Sequence, residues 1–272
     1  MDTIQELVGY QRAEFDKAAT LFYTKFTAQL TLAAMGTISL FVSQEAPLYW
    51  IAGISLLVAL AWLLLELKYR AVRANAERAR RATLIMGGLG KAISKSELHD
   101  IEESLTSTAQ DAKSQEDPEY FASRKPPGTA RLTEMLEESA YWTLNLQRSS
   151  GKIMFLLFFL ILFIALIAFY LLIPSSQKSD LLIGSRVVCA ILTFLVSNDM
   201  FGQVRAYQDT AKILERLMLR IDIAVRSDYP EPDVLLILSD YNATAEATPL
   251  TLPFVYRSRK ADLIRNWQKR AS

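Results

Sequence analysis

Arg186 is the one guanidinium inside an otherwise apolar stretch of this chain, residues 181–201. At helical spacing it shares a face with Cys189, Thr193 and Ser197, because residues three or four apart lie one above another. Asp199 stands near the inner end of the same stretch. A charge in hydrocarbon is costly and usually marks a function. In one reading, Arg186, Thr193, Ser197 and Asp199 line an aqueous path with Thr31 and Thr37, Arg186 favouring anions or closing the path. In the other, Arg186 lies five residues from the outer end of its stretch and snorkels to lipid headgroups. Ala33, Ala34 and Gly36 suit close helix packing.

Two basic sets are candidate phosphate binders. Lys68, Arg70, Arg73, Arg78, Arg80 and Arg81 follow an apolar stretch directly, where they set topology and meet anionic headgroups or bind a phosphate-rich ligand. Tyr256, Arg257, Arg259, Lys260, Arg265, Trp267, Lys269 and Arg270 mix stacking and phosphate-pairing side chains, a combination that holds nucleotides or single strands. A solvated or lipid-facing basic helix is the plainer account of that set. Residues 86–92, Met-Gly-Gly-Leu-Gly-Lys-Ala, fail as a phosphate loop on spacing and on context, and read better as a helix hinge. The chain has one cysteine, Cys189, and one histidine, His99. A disulfide within the chain is impossible, and a zinc site needs more such ligands. His99 reads as a surface residue. No nucleophile or metal constellation stands out, so neither an enzyme nor a cofactor is expected.

What would position these groups is a set of apolar stretches. Of the 272 residues, 51% are hydrophobic, and Lys+Arg 30 nearly balances Asp+Glu 29. The charges are unevenly placed. Glu45 is alone between residues 31 and 65, and none falls between 153 and 177. About 20 apolar residues cross a bilayer as a helix. Residues 153–173 and 48–65 meet that length clearly; 181–201 does so apart from Arg186 and its polar end. Residues 26–42 are shorter and rich in Thr, Ala, Gly and Ser. Short turns at 43–47 and 174–180 join them as two hairpins. Those turns hold only Lys178, against three basic residues before the first stretch, fourteen over 68–152 and eleven after Gly202. The positive-inside rule then puts both turns outside and both termini in the cytoplasm. The first residues lack the basic and apolar regions of a secretion signal, so the first span is expected to do the targeting.

The remainder reads as helix. Val204, Tyr207, Ala211, Leu214, Met218, Ile221 and Val225 continue from the fourth stretch at heptad spacing. Tyr69, Val72, Ala76, Ala79, Thr83, Met86 and Ile93 follow the second, and Leu132, Met135, Ser139, Trp142 and Leu146 lead into the third. Such stripes pack against partner helices, within the chain or between copies. Tyr207, Leu214, Met218 and Ile221 are the candidates for subunit contact. The N-terminal helix, with Ile4, Val8, Phe15, Phe22 and Phe26, reads as amphipathic and fit to lie on a membrane surface. Residues 94–129 are polar and read as a mobile loop. Tyr229-Pro230-Glu231-Pro232 ends the long helix. The divisions fall at 1–67, 68–152, 153–201 and 202–272.

The order Leu238-Ser239-Asp240-Tyr241-Asn242, Pro249, Pro253, Tyr256, Leu263 and Trp267 resembles the C-terminal signature of the SMODS-associating four-transmembrane effectors of prokaryotic defence islands. The plan of two hairpins around a long insertion is similar too, and Hailong-type channel effectors share it. The resemblance implies a nucleotide or oligonucleotide signal from a partner nucleotidyltransferase, and permeabilisation of the inner membrane of an infected cell. Arg257, Arg259, Lys260, Arg265 and Trp267 are the candidate ligand residues.

The expectation is therefore an all-α integral membrane protein with four spanning helices. Four helices with so few polar groups enclose water poorly in one subunit, so a pore needs copies around an axis. A homo-oligomeric, ligand-controlled pore is the leading reading. A non-conducting membrane anchor or scaffold that recruits a cytoplasmic partner is the alternative. A small transporter is disfavoured by the absence of Pro- or Gly-broken helices at the midplane.

Overall fold

The computed structural model describes residues 4–39, 42, 44–172, 188–189, 191–192 and 200–271. Among these the chain is all-helical: α1 (Ile4–Ser39), α2 (Glu45–Leu89), α3 (Lys95–Ser104), α4 (Ala109–Ser114), α5 (Thr129–Leu172), α6 (Met200–Arg226), α7 (Glu231–Ala247) and α8 (Pro253–Ala271). The chain divides into two compact units. One comprises Met1–Thr20, Tyr69–Ser150 and Ala206–Ser272; the other comprises Leu21–Lys68 and Gly151–Arg205. Residues 4–20 thus group with the polar helices rather than with the first apolar stretch.

In the apolar unit, α2 and α5 are long and apolar enough to cross a membrane. Their leucines and aromatics point outward. Trp50 is 73% exposed, Leu64 67%, Leu156 67% and Phe163 60%. Water-soluble proteins rarely expose contiguous apolar surface on this scale. The apolar half of α1 is diluted by Thr, Ala and Gly, and α1 is not among the helices long and apolar enough to cross. Lys25 pairs with Glu66 at 2.5 Å, both side chains largely buried. One precedes the apolar stretch of α1 and the other follows that of α2, so the two stretches start and end at a common level. Ser55 donates to Met35 Sδ at 3.8 Å between the same helices. The expected fourth span lies almost wholly outside the described residues.

In the polar unit a core joins Leu132, Met135, Leu136, Ala140 and Leu144 of α5 to Leu214, Leu217, Met218 and Ile221 of α6 and to Val234, Ile237, Leu238 and Tyr241 of α7. A smaller cluster joins Leu7 of α1, Ala79 and Ala82 of α2 and Ile101 of α3. The α6 stripe runs inward as expected through Ile221. Then Ala224 turns inward and Val225 outward, because a straight helix of 3.6 residues per turn drifts off a 3.5-residue repeat.

Three expectations are corrected here. The start of α1 does not lie on a lipid surface: Leu7, Val8, Gln11, Glu14 and Ala18 are buried in the polar unit. The stretch 94–129 is not a structureless loop. Ser94 caps α3 by accepting from Glu97 N–H, and Thr108 and Asp111 form a reciprocal capping box on α4. Thr108 holds the Asp111 carboxyl below the usual carboxylate range. The buried Glu14 carboxylate accepts from Thr106 N–H at 2.6 Å and Ser107 N–H at 2.5 Å. Lys17 donates to Thr106 O, Arg12 to Gln115 O, and Gln11 to the Tyr120 hydroxyl. Polar composition hid this order because its partners lie about 90 residues away in the chain. Finally, the glycine run at 86–92 is a helix end, not a hinge. Gly90 sits at φ +66°, a left-handed position that glycine adopts without penalty, and its N–H bonds Met86 O. Gly88 lets α5 approach so closely that a Cβ there would fall 2.8 Å from Leu132.

Candidate functional site

Two of the six residues of the basic run on α2, Arg73 and Arg80, face inward. Arg80 lies 2.9 Å from the Glu77 carboxylate. It donates to the Tyr241 hydroxyl at 3.2 Å and to Asn242 Oδ1 at 3.4 Å, and its guanidinium carbon sits 4.9 Å from the Tyr241 ring centre. Thr143 of α5 is 3.3 Å from the same hydroxyl. Two turns earlier, Arg73 donates to Ala245 O and Glu246 O at 3.3 Å each, and closely to Thr248 O. These are the carbonyls that a helix C-terminus leaves without intrahelical partners. Arg73 therefore caps α7. Arg81 pairs with Glu246 and Arg78 with Glu97. The phosphate-ligand reading of this run gives way to internal pairing for these four. Lys68 and Arg70 are exposed.

The connection from α7 to α8 is tied to the remaining helices. Tyr207 of α6 donates to Leu250 O at 2.8 Å, and Thr210 shares a 2.6 Å hydrogen bond with Thr248. Gln147 of α5 donates to Pro249 O, and Leu252 N–H donates to the Ser150 hydroxyl. One buried polar network thus ties α2, α5 and α6 to a single short segment, residues 241–252.

Burial dominates the electrostatics. It raises the Glu77 carboxyl above its ordinary range despite the opposing fields of Arg80, Arg73 and Arg81. Burial likewise raises the Tyr207 phenol, and it pushes Tyr120 up to about 12. The Arg73 and Arg80 Nε atoms are buried without a hydrogen-bond partner, so the network holds polar groups whose desolvation is not fully compensated. Among the described residues no group of three or more His, Cys, Asp or Glu side chains is gathered for a metal.

The remaining candidates divide. Tyr207, Leu214, Met218 and Ile221, expected to hold copies together, are at most 7% exposed and close the chain's own core. They cannot serve as a contact between folded copies, because α5 and α7 already occupy that face. The ligand set on α8 splits in two. Trp267 packs on Tyr141 with ring centres 5.2 Å apart, and Arg265 pairs with Asp262. Arg257, Arg259 and Lys260 are exposed. Thr31 and Thr37 lie in α1, each donating to the carbonyl four residues back. Arg186, Thr193, Ser197 and Asp199 lie outside the described residues. His99 is on the surface, 3.3 Å from Glu103.

Sequence reading missed the network, although it carried a signal. Glu77 is the single acid among the basic residues of α2, four after Arg73, three before Arg80 and four before Arg81. The residues behind the family resemblance gain a role here: Leu238, Tyr241, Asn242 and Leu263 are all buried. No family model, no curated protein and no solved structure matches this chain.

Proposed function

We propose that this chain is a multi-pass membrane protein whose copies assemble into a pore, gated by the polar helical unit in the cytoplasm. The observation that carries the reading is continuity. α2 and α5 are each one unbroken helix from an outward-facing apolar stretch to residues of the buried network. A change at residues 241–252 reaches both stretches without crossing a loop, a geometry suited to transmitting a switch.

Four spans follow from the lengths of the apolar stretches, and both termini inside from the charge asymmetry of the loops; residence in the inner membrane is what the C-terminal resemblance implies. The C-terminal resemblance adds the controlling signal, a nucleotide from a partner nucleotidyltransferase, and the outcome, depolarisation of an infected cell. Arg186, Thr193, Ser197 and Asp199, with Thr31 and Thr37, are the proposed pore lining. Contacts between copies must use surfaces other than the buried α6 stripe.

Purified protein in liposomes holding a potential-sensitive dye tests this. Dissipation of an imposed potassium gradient is expected, with altered conductance for Arg186→Ala. An intact gradient, with the protein inserted and the proposed controlling nucleotide supplied, would instead mark an anchor or scaffold.

A further inference from the structure

We propose that the first two turns of α8 are a docking surface for anionic lipid, clamping the polar unit to the membrane face. This rests on the reading that the apolar stretch of α5 lies in a bilayer.

Charge is the first argument. Arg257, Arg259 and Lys260 stand within four positions and are exposed, and no acid occupies the first turn of α8. Among the described residues Arg257 and Arg259 have no ion-pair partner, and the Lys260 ammonium lies 6.0 Å from the centre of the Tyr256 ring. The three cations stand in the second turn of α8 with no acid in the turn before them to offset their charge, so the favourable partner of this surface is an external anion.

Position is the second. Leu252 N–H donates to Ser150 of α5, and the uncharged run begins three residues later at Ile153. That is about 4.5 Å of helix rise, within reach of arginine side chains at the headgroup level. α8 then runs back along α5, Trp267 meeting Tyr141 and Arg270 meeting Glu137. Along α5, the start of α8 is therefore the part that packs nearest in sequence to the uncharged run. There Phe254 and Tyr256 are 49% and 42% exposed, and Tyr256 is of the amphipathic aromatic type that enriches at membrane interfaces.

Shape separates a lipid surface from a nucleotide. Val255 is the only buried side chain from Phe254 to Ala261, so these residues project from a convex turn. The aromatic best suited to stacking a base, Trp267, is already packed. A planar array of phosphates fits such a turn, as polybasic segments beside spans do.

The test uses the full chain in nanodiscs, in a Cys189→Ser background with a fluorophore on Ala261→Cys. In discs containing anionic phosphatidylglycerol, quenching by aqueous acrylamide is expected to fall about threefold relative to discs of phosphatidylcholine alone. The triple variant Arg257→Glu, Arg259→Glu, Lys260→Glu is expected to lose that protection while Arg265→Glu keeps it. Equal quenching in both discs, or protection that survives the triple variant, overturns the proposal. So does equal protection by inorganic phosphate in phosphatidylcholine discs, which would mark a free-phosphate site. Failure of the protein to stay with the discs at all would instead sink the membrane reading, so the two failures are distinguishable.

Discussion

Two side chains on α2 show how burial sets chemistry at the level of single residues. Glu77 is held against Arg80, yet the loss of water outweighs the attraction and its carboxyl titrates above its ordinary range. A carboxyl raised on folding contributes stability that is fully present below its unfolded value near 4.5 and is lost as pH rises through the raised value. Glu77→Gln is therefore expected to flatten the fall of the melting temperature with pH above that point. Glu138, raised by burial too, leaves a residual slope. An unchanged slope in thermal scans from pH 4 to pH 8 would refute this cause. Arg80→Met removes one partner and strands the other charge in the interior, a change costing about 3–5 kcal/mol in comparable buried pairs. Circular dichroism melts of the detergent-solubilised protein measure it, and Arg78→Met, at an exposed pair, is expected to differ little from the parent.

Elements are held here by contacts distant in sequence. The α3–α4 segment owes its order to α1, through Glu14, Lys17, Arg12 and Gln11. Glu14→Ala leaves the Thr106 and Ser107 amides unpaired. Their hydrogen exchange is expected to accelerate by roughly ten- to a hundredfold, matching a penalty of about 1–3 kcal/mol for an unsatisfied group. Exchange within α7 should not change. At α6 the two faces predict opposite outcomes. Leu214 is fully buried and Leu219 is 63% exposed. Leu214→Ala is expected to cost about 2–5 kcal/mol, whereas Leu219→Ala stays within about 0.5 kcal/mol. If Leu214→Ala dissociated an oligomer without lowering the melting temperature, the interface reading of that stripe would return.

For the whole molecule, the decisive quantity is which parts face lipid. The charge asymmetry predicts that a membrane-impermeant maleimide labels cysteines placed at Gln44 or Gln177 in intact cells, and fails to label one at Ser272 until the cells are opened. The reverse pattern would invert the topology and remove the cytoplasmic role of the network. The Lys25–Glu66 pair adds a check. It caps two apolar stretches at one level, so Glu66→Lys is expected to destabilise the first hairpin and lower the yield of inserted protein.

The sequence alone determined that this chain is helical, that it carries long uncharged stretches, and how charge is distributed around them. These are local or additive properties: an apolar run of sufficient length and a three-four spacing are legible wherever they occur. Sequence also marked the inward stripe of α6, because periodicity names a buried face. It did not name the partner. That the stripe meets α5 and α7 within one chain, that Arg73 and Arg80 turn inward to α7, and that residues 94–129 are bound to α1 were decided by tertiary structure. The arginine contacts join groups 161 to 175 positions apart and those of α1 join groups 89 to 109 apart, and an exposed and a buried arginine are written with the same letter. Only the fold says which of them has given up its water.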